Sequence, residues 1–421
     1  MPTIIWIWSI GEQALYFLDA LLESMPKIAI IGGGIAGASI AYHLSKRGSC
    51  SVDVYERGEL LSETTSRSAA VFGHYGNATE VKMKRYGAEL YNKFFLESDR
   101  ELSFNLTGRL LCSTTKEGAD ALSGTDDVDA DESSAGSGVP EKERLILDDP
   151  VTYIARGELK KRMATVPYLD DSEIMGCLYQ PNVGFLEPIG MGREFVYRAK
   201  KHGTQFHESS EVNEIVKNGG EIEGLTVNGD FKEVDGVVCA AGPWNIPMAR
   251  SIGIELPATH TLAPILMMEV PNPMKVVPPL FQNIESGVYV IGRDNKTVYV
   301  GSYGDRGEYD PREINDKIPV ELREKMLKFA TKFFPILKEA KVAKEWVGIR
   351  SGVSDGVPIV GWTEVKGFSI AAFDSSGIQL SPAVGDIISK QILYGDQTEL
   401  YENVSITRFE GHTDTKWSLN K

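Results

Sequence analysis

Six residues near the start of the chain, GGGIAG at 32–37, leave few folds open. They set Gly32, Gly34 and Gly37 in a GxGxxG spacing. The run before them, KIAII (27–31), is short, apolar and β-branched, which predicts a buried strand. The run after them, ASIAYHLSKRG, carries Ile40 and Leu44 at helical spacing, with Gly48 as a stop. SVDVYER (51–57) reads as the next strand, so strand, glycine turn, helix and strand form one βαβ unit. Each glycine has a mechanical duty: the first permits the tight turn, the second lets backbone approach a pyrophosphate, the third lets helix pack on strand. The helix N-terminus, with Ile35 and Ala36 in its first turn, offers N–H groups and a positive dipole end to phosphate. Glu56, followed by Arg57, closes the second strand at the offset where an acid accepts ribose hydroxyls. A glycine-rich turn beside an unrelated surface Glu is the weaker interpretation. The acid disfavours a 2′-phosphate, which makes NADP the least suited ligand.

The fingerprint alone does not separate NAD from FAD. The segment after the second strand, ETTSRSAAV (63–71), does. FAD extends beyond its ADP half, and other loops must hold its ribityl chain and ring. Thr64, Thr65, Ser66, Arg67 and Ser68 supply hydroxyls and one cation, while Ala69 and Ala70 keep the path narrow enough for a flat ring. FAD is therefore the expected cofactor.

A chain of 421 residues predicts two to three domains. The net charge of −15 argues against a nucleic-acid partner, whose backbone needs a basic footprint. Cys50, Cys112, Cys177 and Cys239 form no CxxC pair, and the six histidines lack metal-ligand spacing. The cysteines are expected to be unpaired buried thiols in a reducing, cytoplasmic setting, and no metal site is expected. Residues 1–24 are too interrupted by acids to span a membrane and lack a secretory pattern. They read as a peripheral extension, with a surface association to a membrane left open. The acidic, Ser- and Gly-rich stretch 115–143 reads as a disordered insertion, since it cannot bury enough surface to offset its ordering entropy. From Val212 the GG and NGD turns predict hairpins. Two further strands are expected within 287–304, a helical stretch within 316–340, and a buried strand in KGFSIAAF (366–373). LSPAVGDIISKQIL predicts a helix with Ser381 as N-cap and Pro382 at its first position.

Four pieces together, IAIIGGGIAGASIAYHLSKRG, TTSRSAA, VVCAAGPWN and WVGIRSGVSDGVPIVG…SSGIQLSPAVG, resemble the D-amino-acid oxidase-like flavoprotein superfamily. The likeness covers residues 25 to about 395, and the Arg350–Ser351 and GIQ segments resemble its D-arginine dehydrogenase branch. The resemblance implies an α/β fold: a Rossmann-like FAD domain assembled from 25–100, 183–252 and 341–421, and a β-rich substrate domain from 101–182 and 253–340. It implies that Thr64–Val71 line pyrophosphate and flavin, that Val212 meets the adenine, that Ala241 and Gly242 lie near the cofactor, and that Gly377, Ile378, Gln379 and Leu380 meet the flavin's pyrimidine edge. Some relatives hold FAD through a cysteine just after the Arg350 position. Ser351 stands there, which predicts non-covalent FAD.

The implied chemistry is oxidation of an amino-acid or secondary-amine C–N bond by hydride transfer from substrate Cα to flavin N5. Arg350 is the expected grip on a substrate carboxylate, because its fork matches a carboxylate in bidentate fashion; the alternative is an arginine paired with Asp355 or Glu345. Tyr75 and Tyr289 are candidates for orienting the substrate, although such aromatics are often only packed. His74 is adjacent and would be able to face the pocket, although a lone His is more often structural. Arg109, where the D-arginine dehydrogenase pattern has an acid, would repel cationic substrates if it faces the pocket. Tyr299 stands where sarcosine-oxidase-type enzymes put a lysine, with Lys296 offset, which leans toward a dehydrogenase. The electron acceptor, whether oxygen, quinone or a carrier protein, stays open. Two competing readings are a 2-hydroxy-acid dehydrogenase, which needs a base such as His74 or His260, and a flavin-binding subunit of a larger complex.

Overall fold

The computed structural model describes residues 25–98, 102, 104–124, 151–162 and 167–419. The expected N-terminal extension and most of the expected acidic insertion lie outside the described residues. The described part of that insertion corrects its boundary. Lys116–Ser123 is a helix, capped by the Thr115 hydroxyl accepting from the Gly118 N–H, with Ala119 and Leu122 buried. A hydroxyl cap and two apolar residues one turn apart suffice locally, whatever the acidity further on.

Lys27–Ile31 forms a strand near the centre of a six-stranded sheet. The order is Ile359–Trp362, Phe368–Ala372, Gly236–Cys239, Lys27–Ile31, Ser51–Tyr55, Gln205–His207. All neighbours run parallel except the edge strand Ile359–Trp362. A parallel sheet is covered on both faces, so its strands read as continuous apolar runs. Here Ile28 and Ile30 enter one core and Ala29 and Ile31 another. The helix Ile35–Arg47 lies on the first core and stops at Gly48 in the left-handed region.

Beside it packs a second buried helix, Gly377–Tyr394, which begins one turn earlier than the Ser-Pro pair predicts. Its N-cap is Ser376 at φ 55°, and Pro382 lies inside it. Proline cannot donate to the carbonyl four residues back, here that of Ile378. That oxygen accepts instead from the Tyr91 hydroxyl at 2.6 Å and the Ser381 hydroxyl at 3.0 Å. A side chain from another helix thus removes the reason for the helix to begin at proline.

The second large sheet has nine strands. It contains the hairpin Val288–Gly292 and Thr297–Ser302, and the long strands Ala258–Glu269 and Lys341–Val353 paired antiparallel along their length. Lys341–Val353, expected among the FAD-binding segments, is thus hydrogen-bonded into this sheet. The predicted hairpins after Val212 form a separate three-stranded sheet. The helix Val320–Phe333 occupies the predicted helical stretch.

The cysteine expectation needs correction. Cys112 and Cys177 face each other on adjacent strands and form a disulfide. Their adjacency comes from strand pairing 65 residues apart in sequence. Cys50 and Cys239 are buried thiols, and burial pushes each up to about 12. Among the described residues no helix is long and apolar enough to cross a membrane.

Candidate cofactor and substrate site

A cavity of about 540 Å³ runs from the glycine turn to the inner face of the nine-stranded sheet. That volume lies in the ordinary range for ligand pockets. Its first end is built by the βαβ unit. Gly32 has φ 100°, and a Cβ there would lie 2.7 Å from the Ala240 carbonyl oxygen. A Cβ on Gly37 would sit 2.0 Å from the Gly32 oxygen, so helix and turn touch backbone to backbone. Gly37 therefore supports the cavity from behind, while Gly32, Gly34, Ile35 and Ala36 line it. The helix N-cap, Gly34, supplies no side chain and the first turn carries no acid, so no negative charge offsets the positive end.

Glu56 also lines the cavity, and its carboxylate accepts from the Gly33 and Gly58 N–H groups, each at 2.9 Å. Arg57 stacks at 3.9 Å over Trp244, whose buried indole N–H has no partner among the described residues. Val212, Ala241 and Gly242 line the same end.

The 63–71 segment is more firmly built into the protein than its composition predicts. Thr65 Oγ1 accepts from the Ile35 N–H at 3.0 Å, joining the segment to the helix N-terminus. Thr64 donates to the Ile349 carbonyl at 2.9 Å, and Arg67 reaches the Val347 carbonyl at 3.3 Å. Trp346 returns a hydrogen bond from its indole to the Arg67 carbonyl at 2.9 Å. Ser68 accepts from the Ala70 N–H at 2.9 Å. Arg293, absent from the sequence reading, donates to the Ala69 carbonyl at 2.8 Å and pairs with Glu187. Thr64, Thr65, Arg67, Ser68, Ala69, Ala70 and Val71 line the cavity. Ser66 does not: it is exposed, and its hydroxyl bonds the Ser62 and Glu63 carbonyls.

The helix N-terminus at Gly377 and Ile378 also meets the cavity, but Gln379 and Leu380 do not. Leu380 is core, and Gln379 Oε1 accepts from the Gly73 N–H at 3.2 Å. Because the helix starts at Gly377, its N-cap Ser376 and the preceding Phe373, Asp374 and Ser375 line the cavity with Gly377 and Ile378.

At the far end the period-2 alternation of Lys341–Val353 decides who faces in. Gly348 and Arg350 line the cavity, while Val347 and Ile349 are buried behind. The expected rivals for Arg350 are engaged elsewhere: Asp355 with Arg408 at 2.8 Å, and Glu345 with Arg323 at 2.7 Å. Arg350 Nε is buried without a hydrogen-bond partner among the described residues. Tyr75 and Tyr289 both line the cavity, as does Arg109, whose guanidinium lies 3.8 Å from the Tyr75 ring. Burial holds the Tyr289 hydroxyl well above its usual range.

His74 is instead packed edgewise on Phe72. His260 has its Nε2 3.0 Å from the Pro243 carbonyl, and its Nδ1 accepts from the Tyr309 N–H. Neither is among the cavity-lining residues, and neither are Tyr299 and Lys296. Tyr299 sits edge-on to Trp346.

The structure adds residues the sequence reading passed over. Lys84 lines the cavity on the helix Ala78–Leu96, donating to the Tyr75 carbonyl and lying 3.7 Å from Glu80. Burial, with a contribution from Arg109, lowers it to about 8. Its spacing from Gly87, Ala88 and Tyr91 places it on the buried stripe, a readable signal. Asp374 follows the C-terminal end of the strand Phe368–Ala372, where open α/β sheets bind ligands. Burial, only partly offset by Arg350 and Arg306, holds its carboxyl above the usual range.

A helix end with no acid to offset its dipole, a backbone cradle, a carboxylate held by two N–H groups, and a long cavity beyond them fit an extended dinucleotide. Comparison with known proteins agrees. The family described as FAD dependent oxidoreductase matches residues 27–391. The chain is similar to glycine oxidase of Geobacillus kaustophilus, 24% identical over 86% of this chain and 91% of that protein. It is similar to 4-methylaminobutanoate oxidase (formaldehyde-forming) of Paenarthrobacter nicotinovorans, 25% identical over 94% of this chain but spanning 47% of that longer protein. The fold is similar to L-proline dehydrogenase from P. horikoshii, with a TM-score of 0.76 and 24% identity over 92% of this chain and 98% of that one. The chain thus belongs to the FAD dependent oxidoreductase family, and FAD is its cofactor.

Proposed function

We propose that this oxidoreductase breaks the C–H bond at the amine-bearing carbon of an amino acid or secondary amine that carries a carboxylate. The observation that carries this reading is Arg350. It is a cavity-lining guanidinium with a buried unpartnered Nε; Asp355 and Glu345 are committed to other arginines, and Asp374, a cavity carboxylate that feels its charge, is salt-bridged to Arg306. The named relatives, which act on glycine, 4-methylaminobutanoate and proline by their titles, support the same substrate class.

FAD would be held by the glycine turn and helix N-terminus at its pyrophosphate, by Glu56 at its ribose and by the Arg57, Trp244 and Val212 end at its adenine. The 64–71 segment and the Gly377–Ile378 helix end would flank its ring. In this reading the segments of the parallel sheet form the FAD-binding part and the nine-stranded sheet the substrate part. Bound there, FAD supplies a two-electron acceptor for the substrate Cα hydride, and the imine left behind is hydrolysed by water. The chain's own residues bind and orient. Arg350 receives the carboxylate through paired N–H donors. The Tyr289 hydroxyl, kept protonated by burial, donates or accepts a hydrogen bond without changing charge. A neutral amine needs no strong base. An alcohol substrate needs one at the reacting oxygen, and neither His74 nor His260 lines the cavity; this favours the amine. Among the described residues no Cys or His lines the cavity, which supports non-covalent FAD.

The test is anaerobic mixing of the FAD-loaded protein with a panel of amino acids, N-methyl amino acids and 2-hydroxy acids. Bleaching of the flavin by amines alone supports the reading; bleaching by hydroxy acids alone overturns it. Following reoxidation of the bleached enzyme with oxygen and with a quinone then identifies the acceptor.

A further inference from the structure

The substrate end of the cavity carries two guanidinium groups, Arg109 and Arg350, and among the described residues neither has a carboxylate to itself: Arg350 shares the field of Asp374 with Arg306. Its two carboxylates already have cations: Glu80 lies 3.7 Å from Lys84, and Asp374 lies 3.0 Å from Arg306. Among the described residues, neither Arg109 nor Arg350 forms an ion pair. Arg109 is 4% exposed, yet it is held by neutral amides: Nη1 donates to Gln180 at 2.9 Å and Nη2 to Gln282 at 2.8 Å. Its Nε is buried without a partner, as is that of Arg350. A buried cation is ordinarily paired or coordinated, because desolvating it unpaired is costly. Tyr75 stacks on Arg109, and Tyr75, Tyr289, Arg109 and Arg350 all line the same cavity. The two cations therefore bracket one chamber.

We propose that the substrate is an amino dicarboxylate, with the α-carboxylate on Arg350 and a second carboxylate on Arg109. This rests on the amine-oxidation reading and narrows its substrate class. Arg109 serves as a specificity residue that touches the substrate's far end. The amides set its direction without neutralising it, which an acid at either place would do.

The experiment uses the FAD-loaded full chain and unreactive diacids from malonate to adipate, each against the monocarboxylate of equal length. Dissociation constants come from perturbation of the flavin spectrum. A diacid of the fitting length should bind roughly 10- to 100-fold more tightly than its monocarboxylate, the scale of one charge-assisted contact. That ratio should collapse toward one in Arg109→Gln. It should also collapse in Gln282→Glu, which keeps the arginine but gives it a carboxylate partner and decides the matter if Arg109→Gln does not fold. A ratio near one throughout the series in the unaltered protein, or one that survives Gln282→Glu, overturns the proposal. If the diacid preference stands while no amine bleaches the flavin, the amine reading fails and the two-anion site remains. If monocarboxylic amines bleach the flavin but no diacid preference exists, the reverse holds.

Discussion

Replacing Arg350 by Gln should separate substrate binding from cofactor binding. The side chain is half-buried on the strand Lys341–Val353, and among the described residues it makes no ion pair. Its removal therefore breaks little that holds the fold, and the strand's hydrogen bonds to Ala258–Glu269 continue through its backbone. A substrate carboxylate, by contrast, loses a paired charge-assisted contact in a largely enclosed chamber. Truncating one partner of a buried charge pair costs about 2–5 kcal/mol. Partial exposure argues for the lower part of that range, about 2–3 kcal/mol, which is roughly a 30- to 150-fold fall in kcat/KM. The assay is steady-state oxidation of the best substrate from the amine panel, with flavin content measured by absorbance. KM should carry most of the change if the contact is equal in ground and transition states. Flavin per protein should stay at the level of the unaltered enzyme, because Glu56 is held by the Gly33 and Gly58 N–H groups, and no hydrogen bond or ion pair among the described residues ties the Arg350 side chain to it or to the glycine turn. A kcat/KM within threefold of the parent would refute the reasoning. So would loss of flavin in parallel with activity, which would make Arg350 part of the cofactor site.

Four further outcomes are expected. Gly37→Ala should lose FAD, because its Cβ would fall 2.0 Å from the Gly32 oxygen and the overpacking, about 1–3 kcal/mol or more, lands on the pyrophosphate turn; flavin absorbance per protein at purification reads it. Acid precipitation should release free flavin into the supernatant, whereas yellow pellet would mean a covalent bond. Lys84 titrates at about 8, below its ordinary value, so its charge opposes folding fully below pH 8 and the penalty fades as pH rises from 8 toward 10.5. Over the same rise the cavity loses one positive charge, so carboxylate ligands should bind more weakly above pH 8, and Lys84→Met should remove that inflection. Reduction of Cys112–Cys177 opens a loop of 65 residues, worth about 4 kcal/mol in the chain-entropy account; calorimetry with and without dithiothreitol should show a lower Tm on reduction.

What could be read from the sequence alone follows from how locally each feature is determined. The glycine turn was legible because backbone approaching backbone leaves no room for a Cβ, and only glycine records that constraint. Arg350 was legible as a candidate, but its freedom depends on Asp355 and Glu345 being held by Arg408 and Arg323, which lie on other elements. The misread features share that non-local character. Ser381 and Pro382 carry an N-terminal helix signal, yet the Tyr91 hydroxyl satisfies the Ile378 carbonyl that proline leaves open. Cys112 and Cys177 meet through the pairing of two strands. Thr64 and Arg67 do line the cavity, but they also hydrogen-bond the carbonyls of Ile349 and Val347, far on in the chain. That last difference bears on mechanism. Because the 64–71 segment is hydrogen-bonded to the strand that carries Arg350, the proposed flavin track and carboxylate grip would share one support. In that reading strand Lys341–Val353 would set the distance between substrate Cα and the ring, and Thr64→Val should disturb catalysis through position, lowering kcat more than it raises KM.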